Sequence, residues 1–154
     1  MRFVDCPDVR IAVPEDADAI MALLRLAHDE AGEHPLSERK VRIVVDNGVV
    51  RNGGLIGVVG EIGGPIKAAL ILCISDVWYS EDKQLLELSN FVHPDHRRST
   101  YAKQLIDFAK HCSNGISLDL MIGVFSNERT EAKVKLYARR VTPRGAFFCH
   151  KPGG

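Results

Sequence analysis

The sequence predicts a single α+β domain in which a central mixed, mostly antiparallel sheet is flanked by helices. Three observations predict it. The hydrophobic period switches between helical and strand spacing several times along the chain. Three consecutive apolar runs, separated by a glycine-proline turn and a polar turn, read as an antiparallel meander. A strand–helix–strand unit follows in the C-terminal half, giving the order β-α-α-β-β-β-α-β-α-β. The 154 residues match the size of one ordinary domain, and no internal repeat, low-complexity tract or linker divides them, so residues 1–154 are read as one unit.

Each element has its own signal. Arg10-Ile11-Ala12-Val13 is a short strand closed by Pro14. Pro14-Glu15-Asp16 opens a helix, with carboxylates where the helix dipole favours them, and Gly32 stops it after Ile20, Leu23, Leu24 and Ala27 have recurred at helical spacing. Val41, Val44, Val45 and Val49 are spaced for one helical face, although their β-branching argues for a strand. Ser37 as N-cap with Glu38 in the first turn favours the helix, which Asn52-Gly53-Gly54 ends. Leu55 to Val59, Lys67 to Ser75 and Leu85 to Val92 are the strands of the meander, the last stopped by Pro94. A helix with Ala102, Leu105, Ile106, Ala109 and Cys112 on its buried stripe, extended by Phe108, runs to Asn114-Gly115. Leu118 to Val124 is a strand, Glu128 to Arg140 a charged helix, and Phe147-Phe148 lie in a final strand.

Composition excludes several classes. At 45% hydrophobic and 26% charged the chain is close to the globular average, which argues against disorder. Lysine plus arginine balances aspartate plus glutamate at 20 each, so nothing supports a nucleic-acid binder that relies on a broad basic field, while a local basic patch stays open. The zero net charge does not oppose self-association. Cys6, Cys73, Cys112 and Cys149 stand singly, without the paired spacing of a zinc knuckle or a thioredoxin-like site, and no metal is expected. Cys73 and Cys112 lie in apolar patterns and read as small core residues. No basic-then-apolar leader opens the sequence, and no apolar run approaches the ~20 residues of a bilayer span. The expectation is a cytoplasmic protein without a membrane segment.

The informative segment is Phe91-Val92-His93-Pro94-Asp95-His96-Arg97-Arg98-Ser99-Thr100-Tyr101-Ala102, in which a strand runs through a basic loop into a helix N-terminus. Backbone N–H groups of the first turn and the positive dipole end suit an anion, and two arginines suit a pyrophosphate. Read from these residues alone, a surface loop with two solvated arginines and an ordinary helix cap is an equal alternative.

The segment resembles the acyl-CoA-binding motif of the GNAT superfamily, Gln/Arg-x-x-Gly-x-Gly/Ala after a strand, with Arg97, Arg98, Ser99, Thr100, Tyr101 and Ala102 at its six positions. Val9-Arg10-Ile11-Ala12 with Pro14-Glu15-Asp16-Ala17 resembles the family's first strand and helix. Asn127, Ala132 and Leu136-Tyr137-Ala138-Arg139-Arg140 resemble its later helix, so the resemblance spans Val9 to Phe148. Two departures stand out. Thr100 occupies the place of the family's central glycine, where its Cβ would crowd a phosphate or its hydroxyl would donate to one, and Gly145-Ala146-Phe147 arrives later than the family's usual Gly-Phe.

The resemblance implies an acetyl-CoA-dependent N-acyltransferase with a GNAT-like sheet, able to form a homodimer, that passes an acyl group to a primary amine. It places the pantetheine between the Leu85–Val92 and Leu118–Val124 strands, with Phe91 and Val92 offering backbone contacts and Asn127 facing the acyl-CoA. It assigns Tyr137 as the acid for the leaving thiolate; a lone helix tyrosine would otherwise be read as a ring packed on the core. Glu87, the only carboxylate in its strand, is the candidate base, against the plainer reading of a solvent-facing residue paired with a cation. His93, His96 and Asp119 are the other bases considered. Trp78 and Tyr79 would wall an acceptor pocket with Phe91, or simply pack. Lys133 and Lys135 would meet phosphates, or lie on a solvated face. The acidic stretch His28-Asp29-Glu30 with Glu33 points weakly to a cationic acceptor. The competing functions are a catalytically inert GNAT-fold binding or regulatory module, and a nucleotide-binding module of another family. The sequence lacks the common glycine-rich nucleotide motifs that the last would use.

Overall fold

The computed structural model describes residues 2–124 and 130–153. In chain order the elements are β1 (Val9–Ile11), α1 (Ala17–Ala31), α2 (Glu38–Val49), β2 (Gly54–Val59), β3 (Ala68–Asp76), β4 (Lys83–Val92), α3 (Tyr101–Ile116), β5 (Leu120–Met121) and α4 (Thr130–Arg140). Short 3-10 turns at Pro14–Asp16 and Pro94–His96 precede α1 and the loop into α3. The strands lie in the order β1-β2-β3-β4-β5. The first four are antiparallel neighbours and β5 joins β4 in parallel, the mixed and mostly antiparallel sheet that the sequence predicts.

Both faces of the sheet are covered, which is why its middle strands read as continuous apolar runs rather than as alternating ones. Alternate residues of β2 and β3 go to opposite sides. Ile56, Val58, Ala69 and Ile71 pack with Ile20, Leu23 and Val45 of α1 and α2. Leu70 and Leu72 pack with Leu105, Phe108 and Ala109 of α3. Leu70, Leu72 and Phe108 are wholly buried, and each such side chain contributes about 1.5–3 kcal/mol through removal from water. Phe108 fits because Gly57 lies beneath it: a Cβ there would come within 2.6 Å of the ring.

The ambiguous third segment is a helix. The Ser37 hydroxyl accepts from the Lys40 N–H, capping α2 as expected. Gly32 takes the C-cap of α1, its N–H donating to the His28 carbonyl. Asp16 does more than complement a dipole. It is fully buried and receives two bonds from the Arg10 guanidinium (2.7 and 2.9 Å), plus the N–H groups of Val13 (2.9 Å) and Gly63 (3.2 Å). The Arg10 guanidinium holds the Asp16 carboxyl below the usual range. This pair ties β1, the entry to α1 and the β2–β3 turn together.

Four expectations need correction. The final strand around Phe147-Phe148 does not form: residues 142–151 have no regular structure, and the two rings are 93% and 95% exposed. Two adjacent aromatics point to opposite sides of a strand, so neither face gains enough burial to hold an edge on a β5 only two residues long. The strand predicted over Leu118–Val124 is accordingly reduced to Leu120–Met121. Helix α3 runs through Asn114-Gly115 and ends at Ser117, which takes the left-handed cap conformation (φ 55°). Cys73 and Cys112 are only partly buried; the fully buried thiol is Cys6. Among the described residues no helix is long and apolar enough to cross a membrane.

Candidate active site

The site is built where β4 and β5 part. Their pairing consists of Leu85 with Leu120 and Leu86 with Met121, supported by the Leu85 N–H on the Asp119 carbonyl (2.8 Å). Beyond Leu86 no described residue of β5 continues the ladder, so among the described residues no strand pairs with the Glu87–Val92 edge of β4 on that side. At the same point β4 carries a bulge: Leu72 pairs with Glu87 and Ile71 with Ser89, leaving Leu88 as the extra residue. The bulge turns the strand over. Leu85 before it packs with the α3 core and Phe91 after it with the α1–α2 core, although both are odd-numbered.

Glu87 and Tyr137, the candidate base and acid of the sequence, are brought together here. The Tyr137 hydroxyl donates to Glu87 Oε2 (3.2 Å) and accepts from Asn90 Nδ2 (3.1 Å). Burial pushes the Glu87 carboxyl up to about 7, partly offset by the Tyr137 and Asn90 hydrogen bonds, the Gly123 N–H and the charge of Lys133. Burial, and then the neighbouring Glu87 charge, raise the Tyr137 phenol well above its ordinary value. Glu87 can therefore exchange a proton near neutrality, while Tyr137 stays protonated as long as Glu87 carries its charge and becomes the better acid once Glu87 is neutralised. Asn90, which orients the tyrosine, was missed by sequence reading. Its only signal was its place three residues beyond Glu87 on the same strand.

A cleft of about 120 Å³ opens beside this pair. Asn90, Phe91 and Val92 of β4 form one wall, Arg97, Ser99 and Ala102 another, and Ala132, Lys133 and Leu136 of α4 a third. Helix α4 is held over it in part by Arg140, 3.8 Å from the buried Asp107 of α3. Arg97 is half-buried. Its guanidinium lies over the Phe91 ring, 5.4 Å from the centroid, and is ion-paired with Glu30 of α1. Arg98, Ser99 and Thr100 are exposed at the head of α3. Ser99 supplies the local order, donating to the His96 carbonyl (2.5 Å) and accepting from the Tyr101 N–H (3.2 Å). Thr100 adopts φ −90°, open to any residue, so glycine is not required there for conformation. Its hydroxyl accepts from Gln104 Nε2 (2.8 Å) and keeps its own proton to donate.

The remaining candidates are placed elsewhere. His93 Nδ1 accepts from the Asp95 N–H and caps the turn after β4, and the His96 ring lies against Tyr101. Asp119 is exposed, with its backbone carbonyl engaged by Leu85. Trp78 is 91% and Tyr79 75% exposed at the β3–β4 turn, packed on each other rather than walling a pocket. Asn127 lies outside the described residues.

No protein-family model and no curated sequence matches the chain. Solved structures do. A GCN5-related N-acetyltransferase from Ralstonia eutropha superposes with a TM-score of 0.72 at 18% identity, over 95% of this chain and 98% of that one. A ribosomal-protein-alanine N-acetyltransferase from Brucella melitensis gives 0.66 at 18% identity, over 95% and 99%. An aminoglycoside acetyltransferase from an uncultured soil metagenome gives 0.68 at 15%, over 96% and 98%. This chain therefore has the fold of the GNAT-type acetyltransferases.

Proposed function

We propose that the protein is an acetyl-CoA-dependent N-acetyltransferase that passes an acetyl group to a primary amine by direct attack on the thioester. The observation that carries this is the Glu87–Tyr137–Asn90 hydrogen-bonded cluster, set beside a β4 edge that no strand among the described residues pairs with, and an arginine-bearing helix N-terminus. Arg98, the Thr100 hydroxyl and the first-turn N–H groups of α3 beyond Tyr101 form a donor set suited to a pyrophosphate, with Ser99 ordering the loop beneath them. Arg97 joins them on leaving Glu30. The β4 edge at Phe91 and Val92 offers backbone groups to an amide-bearing chain.

The cluster then accounts for the proton. An amine attacks only when neutral, and the new N–C bond leaves a proton on nitrogen that Glu87 takes, directly or through one water. As the C–S bond breaks, Tyr137 donates its phenolic proton to the departing sulfur and recovers one from the protonated Glu87. One proton has moved from nitrogen to sulfur, and both side chains end as they began. A phenol held protonated beside a carboxylate poised near neutrality suits this relay better than two groups acting alone.

The test is thiol release from acetyl-CoA with a panel of primary amines. The wild type turns over at least one of them, and Tyr137→Phe lowers kcat by about 10²–10⁴-fold with little change in KM for acetyl-CoA. Equal rates in the two proteins overturn the relay. Bound acetyl-CoA that no amine discharges favours the inert binding module.

A further inference from the structure

A second cluster of reactive side chains lies away from the cleft. The N-terminal turn packs against α3 at His111, about two and a half helical turns from the Ala102 that lines the cleft. Here Asp5, Cys6 and His111 place a carboxylate oxygen, a thiol sulfur and an imidazole nitrogen all within 4.8 Å of one another. Asp5 Oδ1 and His111 Nε2 are 2.6 Å apart.

We propose that Asp5, Cys6 and His111 form a binding site for a divalent transition metal ion of the Zn²⁺ type. The ligand set suits that ion: one thiolate, one imidazole and one carboxylate favour Zn²⁺ or Co²⁺ over Mg²⁺ or Ca²⁺. With metal–sulfur bonds of about 2.3 Å and metal–nitrogen or –oxygen bonds of about 2.0–2.1 Å, ligand atoms in a tetrahedral site stand roughly 3.3–3.6 Å apart. The atoms here reach that spacing by shifts on the order of 1 Å. The turn is also prearranged. Cys6 N–H donates to the Phe3 carbonyl (3.2 Å), so one tight turn delivers two ligands. It also delivers the Phe3 ring, which stacks on His111 at 3.9 Å between centroids and 4° between planes and fixes the imidazole. Burial, and then the charges of Asp5 and the buried Asp107, push the Cys6 thiol up to about 11, so a dication bound there must displace its proton, while the same two carboxylates favour the positive charge. On binding, metal–S, metal–N and metal–O bonds form and the Cys6 thiol proton leaves to solvent. Exposed Asp5 leaves the fourth position to water. The ion would clasp the N-terminal turn to α3, a structural role separate from acyl transfer.

The experiment is a Co²⁺ titration of the chelator-treated full chain, followed by absorption. One equivalent gives a thiolate-to-cobalt charge-transfer band with tetrahedral d–d bands, and Zn²⁺ displaces it. Cys6→Ala removes the charge-transfer band. Asp5→Asn in the exposed turn and His111→Gln on the partly exposed face of α3 keep the circular dichroism of the folded protein and weaken binding by about tenfold or more. Absence of a thiolate band at millimolar Co²⁺ overturns the proposal. So does an unchanged band in His111→Gln, which would put the metal on another cysteine.

Discussion

Replacing Glu87 by glutamine keeps an oxygen within reach of the Tyr137 hydroxyl while removing a proton that the folded chain binds unusually tightly. Burial raises this carboxyl from an ordinary 4.5 to about 7. A proton held more tightly in the folded state stabilises it fully below the unfolded value, and the benefit is lost as pH rises through the folded value. A gap of about two and a half pH units corresponds to about 3 kcal/mol, of which about 2.5 kcal/mol falls between pH ~5 and ~8. Urea unfolding at those two pH values, on wild type and Glu87→Gln, isolates the effect because every other titrating group is common to both. Wild type should lose about 2.5 kcal/mol more than the variant across that interval. An equal loss in both would mean that Glu87 titrates as an ordinary carboxylate, and the poised base with it would be refuted.

Two further perturbations probe the frame and the cleft. Asp16→Ala strands the Arg10 guanidinium in the interior, together with the Val13 and Gly63 N–H groups, and should cost about 3–5 kcal/mol in chemical denaturation; a cost below about 1 kcal/mol would show that water replaces the carboxylate. Glu30→Gln removes the charge that holds Arg97 and should tighten acetyl-CoA binding several-fold by calorimetry; weaker binding would show that Glu30 orders Arg97 for its ligand rather than competing for it.

Much of the frame was legible because it rests on local chemistry. Ser37 announces α2, Gly32 closes α1, and the glycine-proline turn after Val59 separates two runs whose pairing needs no distant information. Glu87 and Tyr137 were legible singly, one as a carboxylate in an apolar strand and the other through its motif. Their contact was not, since it depends on the bulge at Leu88 and on how α4 lies over β4. The same holds for Arg10 with Asp16, Arg97 with Glu30, and Asp5 and Cys6 with His111, pairs that only the completed fold brings together. The predicted last strand failed for the opposite reason. Phe147 and Phe148 carry strand propensity, yet no strand among the described residues pairs with them and both rings stay exposed.

The measurement that tests the central claim most directly is thermal stability with and without acetyl-CoA, on wild type and on Arg97→Ala/Arg98→Ala. Ligand at ~100 times its dissociation constant adds about 2.7 kcal/mol to a protein that binds it only when folded. For a domain of this size that is a rise in Tm of roughly 5–10 °C. The account predicts that rise in the wild type and its loss in the double variant. No shift at saturating acetyl-CoA, or the same shift in both proteins, would contradict it.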